Sequence, residues 1–164
     1  MSVLAVIVKA LEFIFPAYCA NATPVLAGGG KPMDFGKNFI DGKRILGANK
    51  TFRGFVIGLS VGVAVGIMDA AVFHFPWLFA LFVPLGALLG DLVGAFFKRR
   101  LNIAPGGLLP VVDQVDFVVG ALVLSLPLMI NDWQTAIAAL LITPPIHLFT
   151  NFLAYKLKLK KNPW

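Results

Sequence analysis

The sequence predicts an all-α integral membrane protein of five transmembrane helices, and three observations carry that expectation. The chain is 59% hydrophobic, with only 13% charged residues in 164. Its mean hydropathy is +0.86, and apolar runs of bilayer-spanning length recur along it. Fifteen Phe and three Trp suit lipid contact and interfacial anchoring. The length allows one domain, 1–164. The lone cysteine, Cys19, excludes an internal disulfide and a zinc–cysteine cluster and reads as a small buried residue.

The predicted helices span residues 3–20, 55–75, 77–97, 113–131 and 133–155, with functional loops at 21–54 and 98–112. The first ends in "YCANA", which offers small residues as a signal-peptide site would. Nothing basic precedes Lys9, however, so the segment is expected to stay. Lys9 and Glu12 are three apart, on one helical face, and are expected to pair inside the bundle. Pro76 turns the second helix into the third as an antiparallel hairpin. The fourth segment is short and is expected to recruit residues from Val111 onward. The "NDW" at 131–133 turns it into the fifth. Trp133 and Trp164 read as interface anchors.

Charge sets the orientation. Thirteen of the fourteen Lys and Arg fall in three regions: residues 31–53, residues 98–100, and the tail "KLKLKK" at 156–161. Five alternating helices put all three regions on one side. The positive-inside rule then places the N-terminus outside and the C-terminus inside a cell membrane.

The acidic residues are few enough to weigh singly. Asp34 and Asp41 sit in the first basic loop, while Asp69 and Asp132 read as water-exposed at the opposite face. Asp91 lies within the third segment, about six residues or roughly 9 Å from its basic end. A carboxylate at that depth is costly unless it faces a cation or a polar cavity. Asp113 and Asp116 are three apart on one face of the fourth segment. Three carboxylates converging on one surface, with water and phosphate completing the shell, suit Mg²⁺. Helix capping is the competing explanation, chiefly for Asp113.

The stretch "GGGKPMDFGKNFIDGKRILGANKTFRG" holds seven glycines and six basic residues in 27. Glycines let backbone N–H groups approach a polyanion, and Lys or Arg neutralise it. The candidate phosphate contacts are Lys43, Arg44, Gly47, Asn49, Lys50, Thr51, Arg53 and Gly54. This is no Walker A loop, because Asn49 stands where a Gly should precede Lys50-Thr51. Residues 98–100 and the tail could instead be topology charges that meet anionic headgroups. His74 and His147 read as structural. Basic loops tied to a membrane surface argue against a nucleic-acid partner. A metal-phosphate site at a bilayer edge points to phosphoryl or nucleotidyl transfer to a lipid, in which metal and Lys/Arg relieve the repulsion between two polyanions.

"GDLVGAFFKRR" at 90–100, "PGG" at 105–107 and "DQVDF" at 113–117 together resemble the membrane cytidylyltransferases. The bacterial CDP-diacylglycerol synthases carry Gly-Asp, Ser-x-x-Lys-Arg, then a Gly-rich segment ending in Asp-Arg-x-Asp. "NKTFRG" resembles their Lys-Thr-x-x-Gly, and the archaeal CDP-archaeol synthase branch is the nearer likeness in size and elements. The resemblance implies that Asp91, Asp113 and Asp116 surround a Mg²⁺ site, with Lys98 and Arg99 as the Lys-Arg pair. It also implies that Lys50, Thr51 and Gly54 touch nucleotide phosphate, that CTP is the donor, and that an isoprenoid glycerol ether phosphate is the acceptor. A homodimer is compatible with it. Ala95 replaces the bacterial Ser, Gln114 replaces the Arg, and the link from Lys98 to Asp113 is shorter; these departures favour the ether-lipid acceptor. The alternatives are a synthase acting on diacyl phosphatidate, a small ion-coupled transporter using Asp91, and a structural membrane protein whose charges only set topology.

Overall fold

The computed structural model describes residues 2–104, 106–130, 132–160 and 162–163. Pro105 of the Gly-rich link, Asn131 of the "NDW" turn, Lys161 of the basic tail and the expected anchor Trp164 lie outside the described residues. The elements are α1 (Val3–Ala27), α2 (Phe52–Phe73), α3 (Phe79–Arg100), α4 (Val112–Ser125), a 3₁₀ turn at Leu126–Leu128, and α5 (Trp133–Lys156). Side-chain oxygens of Ser2, Thr51 and Asp132 start α1, α2 and α5 by accepting from the backbone N–H of Ala5, Gly54 and Thr135.

Several boundaries differ from those expected. Helices α2 and α3 are Phe52–Phe73 and Phe79–Arg100 rather than 55–75 and 77–97, so residues 98–100 of the expected loop 98–112 belong to α3. Two differences are larger. The first helix runs to Ala27 rather than to residue 20, and three glycines follow it, of which Gly29 and Gly30 take positive φ. The basic loop is therefore 28–51, shorter than the expected 21–54. The fourth helix does start beside Val111 but ends at Ser125, not at residue 131. Pro127, which has no N–H to donate, follows in the 3₁₀ turn. Its 14 residues make only about 21 Å, short of a hydrocarbon core of about 30 Å. Among the described residues, α1, α2, α3 and α5 are long and apolar enough to cross a membrane. Large side chains such as Leu4, Val56, Leu141 and Phe149 cover the outside of the bundle. The chain is a multi-pass membrane protein.

Close packing follows from two glycine ladders. On α2, Gly58, Gly62 and Gly66 lie one turn apart, and a Cβ at each would strike Ala20 and Pro24, Pro84 and Ala20, or Ala80. This ladder lets α2 sit directly on α1 at Ala20 and Pro24 and on α3 at Ala80 and Pro84. On α3, Gly86 and Gly90 face the backbone of α4 at Gly120 and Asp116. The core between the helices holds Phe13, Ile14, Phe79, Val83, Phe117 and Val118.

At the end of the bundle away from the basic loop, two acidic residues depart from expectation. Lys9 does not pair with Glu12; it reaches Asp132 at 2.6 Å, tying α1 to the start of α5. Asp69 is not water-exposed. It is buried, and its Oδ2 has no hydrogen-bond partner.

Candidate active site

Loop 28–51 is built around a carboxylate. Asp34 is buried and accepts from the backbone N–H of Gly36, Leu46 and Gly47 and from two nitrogens of Arg44. Burial alone would raise this carboxyl, but the hydrogen bonds from Arg44, Gly47, Gly36 and Leu46 outweigh it and hold it well below the usual carboxylate range. Gly47 meets Asp34 with φ +110, a conformation that L side chains rarely adopt. The folded loop then docks on the end of α3. Arg100 pairs with Asp41 at 2.6 Å, donates to the carbonyls of Lys43 and Arg44, and lies over the Phe39 and Phe96 rings. Lys43 returns a hydrogen bond to the Arg100 carbonyl.

This docking carries Lys50 to α3, where its Nζ lies 2.5 Å from the Asp91 carboxylate. One helical face of α3 presents Asp91, Gly94 and Lys98 in succession. A Cβ on Gly94 would run into the Asp116 carboxylate of α4, so the glycine is what lets that carboxylate lie against α3. Asp113, one turn earlier, pairs with Lys98 at 2.7 Å and accepts from the Leu109 N–H. The turn before α4 places Val111 at φ +68, a position a β-branched residue rarely takes. Arg99 is 9% exposed, packs beside Gly47 and makes no hydrogen bond or ion pair among the described residues. The arrangement is three carboxylates from two helices, ammonium groups on two of them, and a buried guanidinium whose Nε has no hydrogen-bond partner.

A family model described as CarS-like, CDP-archaeol synthase, matches residues 3–164. The chain belongs to the CDP-archaeol synthase family. It is 44% identical over 164 residues to the CDP-archaeol synthase of Pyrococcus furiosus, covering 96% of this chain and 98% of that one. It is 40% identical over 168 residues to that of Methanocaldococcus jannaschii, covering 94% and 95%. A solved structure described as an intramembrane enzyme for archaeal membrane lipids biosynthesis superposes with a TM-score of 0.81 at 40% identity. That likeness covers 88% of this chain and 94% of the other.

In this member of the CDP-archaeol synthase family, the structure gathers Asp91, Asp113, Asp116, Lys50 and Lys98 at one face, with Arg99 beside the loop. The other residues of the loop reading are placed differently. The Thr51 hydroxyl is engaged as the cap of α2, and Gly54 packs against it and Pro24. Lys43 and Arg44 hold the loop together, while Asn49 and Arg53 are exposed. The sequence reading missed Asp34 as the organiser of the loop, although an Asp amid glycines with no nearby helix was a signal available for it. It also read Lys160 as a solvated headgroup contact. Lys160 instead turns back onto α5 and donates to Asn151, which in turn bonds His147.

Proposed function

We propose that this protein transfers CMP from CTP to the phosphate of 2,3-di-O-geranylgeranylglyceryl phosphate, giving CDP-archaeol and pyrophosphate. The observation that carries this reading is the meeting of Asp91, Asp113 and Asp116 with Lys50, Lys98 and the unpaired Arg99 at one end of a membrane bundle. Membership of the CDP-archaeol synthase family favours a lipid cytidylyltransferase over a transporter or a structural protein.

The donor set fits a hard divalent cation such as Mg²⁺, because it is all carboxylate oxygen. Among the described residues no three acidic, His or Cys groups already form a metal cluster. The ammonium groups of Lys50 and Lys98 sit on Asp91 and Asp113 instead. The fit is therefore two or more carboxylates together with substrate oxygens, the lysines moving from carboxylate to phosphate. When bound, Mg²⁺ would lower the negative charge on the triphosphate and orient its leaving group.

The protein's own groups have defined parts. Lys50, brought in by the loop, contacts nucleotide phosphate, and Arg99 supplies a buried positive charge to the same anion. Lys98 and the carboxylates of α3 and α4 fix the geometry at the α-phosphorus. The acceptor phosphate is ionised near neutral pH, so no general base is required. Its oxygen forms the new bond to the α-phosphorus of CTP as the bond to pyrophosphate breaks in line.

The reading includes five membrane-inserted helices, N-terminus outside, with the site facing the cytoplasm of a cell membrane. CTP labelled in its α-phosphate, given to membrane vesicles with Mg²⁺ and the ether-lipid phosphate, tests chemistry and orientation together. Label should enter lipid in inverted vesicles and not in sealed right-side-out ones, and excess chelator should stop it. Incorporation in right-side-out vesicles only would reverse the topology. Incorporation in excess chelator would remove the metal from the reaction.

A further inference from the structure

The C-terminal segment is folded for contact with the site. After α5 the chain reverses at Lys158, which takes φ +60. The Leu159 and Lys160 N–H groups both turn back to the Ala154 carbonyl. Two side chains pin the reversed segment. Lys160 Nζ donates to Asn151 Oδ1 at 3.0 Å, and Asn162 donates to the Gly106 carbonyl in the α3–α4 link. Asn151, 9% exposed, also bonds the His147 ring, which packs on Phe117, the neighbour of Asp116. His147, Asn151 and Lys160 thus form a polar line along α5 to the tail, and its His147 end lies against Phe117 of α4.

The side on which this line stands identifies its ligand. Lys50 approaches the carboxylates from loop 28–51, which is docked on α3, and Arg99, in the last turn of α3, packs against Gly47 of that loop. Lys160 instead stands just past α5 and is held on it by Asn151; Leu141, Leu148, Phe149 and Phe152 of that helix face outward as lipid-facing residues do. A soluble nucleotide meets the loop first, whereas a lipid phosphate moving laterally out of the bilayer meets the end of α5. Burial pulls the Lys160 ammonium below the usual lysine range while Asp113 opposes that shift; Lys50 and Lys98 add to it and Asp91 counters. Its charge therefore acts within the same field as the carboxylate face.

We propose that Lys160, positioned by Asn151, binds the phosphate monoester of the acceptor lipid, so that nucleotide and lipid phosphates are held from opposite sides of the Asp91–Asp113–Asp116 face. This rests on the cytidylyltransferase reading, and its test separates the two. Steady-state kinetics of the full-length protein are measured in neutral-lipid bilayers and again with an anionic diester lipid added. Lys160→Ala should raise KM for the ether-lipid phosphate roughly tenfold to a hundredfold, the range expected for one charge-assisted hydrogen bond, with KM for CTP unchanged. Asn151→Ala should shift the same constant in the same direction, and Lys160→Arg should restore part of it. Lys156→Ala, which removes an equal charge from the exposed end of α5, should leave both constants alone.

A rise in KM for CTP would assign Lys160 to the nucleotide. Equal effects of Lys156→Ala and Lys160→Ala, or an effect only with anionic lipid present, would reduce it to surface charge. An unchanged lipid KM would overturn the proposal. Asp113→Asn is the separate arm: if that variant turns over normally, the cytidylyltransferase site is misplaced whatever Lys160 does, whereas an inactive Asp113→Asn beside an unaffected Lys160→Ala removes this inference alone.

Discussion

Asp91→Asn, Asp113→Asn and Asp116→Asn should each insert normally and lose about 10²–10³-fold in turnover, the cost of removing one electrostatic stabiliser from a transition state, or about 2.7–4 kcal/mol. Asn keeps the size of the side chain and removes its charge. The capping explanation for Asp113 makes the opposite forecast, since Asn caps a helix about as well as Asp. The structure already weakens that explanation. Val111, not Asp113, occupies the cap position of α4, and the Asp113 carboxylate is spent on Lys98 and the Leu109 N–H. Initial rates of pyrophosphate release at limiting Mg²⁺ decide the matter. Near-normal rates in both Asp113→Asn and Asp116→Asn would mean that the chemistry happens elsewhere.

Gly94→Ala should be nearly as damaging, although it removes no functional group. Its Cβ would collide with the Asp116 carboxylate, so either α3 and α4 part or the carboxylate turns away. A displacement of about 1 Å at a reacting centre costs on the order of 10²-fold in rate. Val93→Ala, on the exposed side of the same helical turn, is the comparison and should behave as the parent protein does. Turnover measured beside thermal stability separates a mispositioned carboxylate from an unfolded bundle. A fully active Gly94→Ala protein would show that Asp116 need not lie against α3.

The membrane class and the helical periods were legible because composition and run length dictate them. The helix ends were not. Val25 to Ala27 continue α1 past Pro24 because the glycines of α2 leave room for the proline ring, a contact 30 or more residues away in sequence. The short α4 likewise depends on Pro127 stopping a helix whose hydropathy would have carried on. For the site, Asp91, Asp113 and Asp116 stood out since charge inside an apolar run is conspicuous. Lys50 was singled out by the likeness of "NKTFRG" to Lys-Thr-x-x-Gly as a phosphate contact, but its pairing with Asp91 was not legible. Its reach to Asp91 is set by Asp34 and Arg100, which fold the loop and dock it. The ladders Gly58-Gly62-Gly66 and Gly86-Gly90-Gly94 were in plain view at a spacing of four. They were unread because small residues matter through what approaches them, and that approach is known only once helices are packed.

On this mechanism a divalent cation and the nucleotide meet on the carboxylate face shared by α3 and α4. Crystals grown with Mn²⁺ and a non-hydrolysable CTP analogue would test it most directly through the anomalous signal of the metal. The expected result is a peak among the carboxylates of Asp91, Asp113 and Asp116, which would hold the metal, with Lys50 and Lys98 turned from carboxylate to phosphate. Nucleotide bound with the metal elsewhere, for instance beside the buried Asp69 at the other end of the bundle, would contradict it.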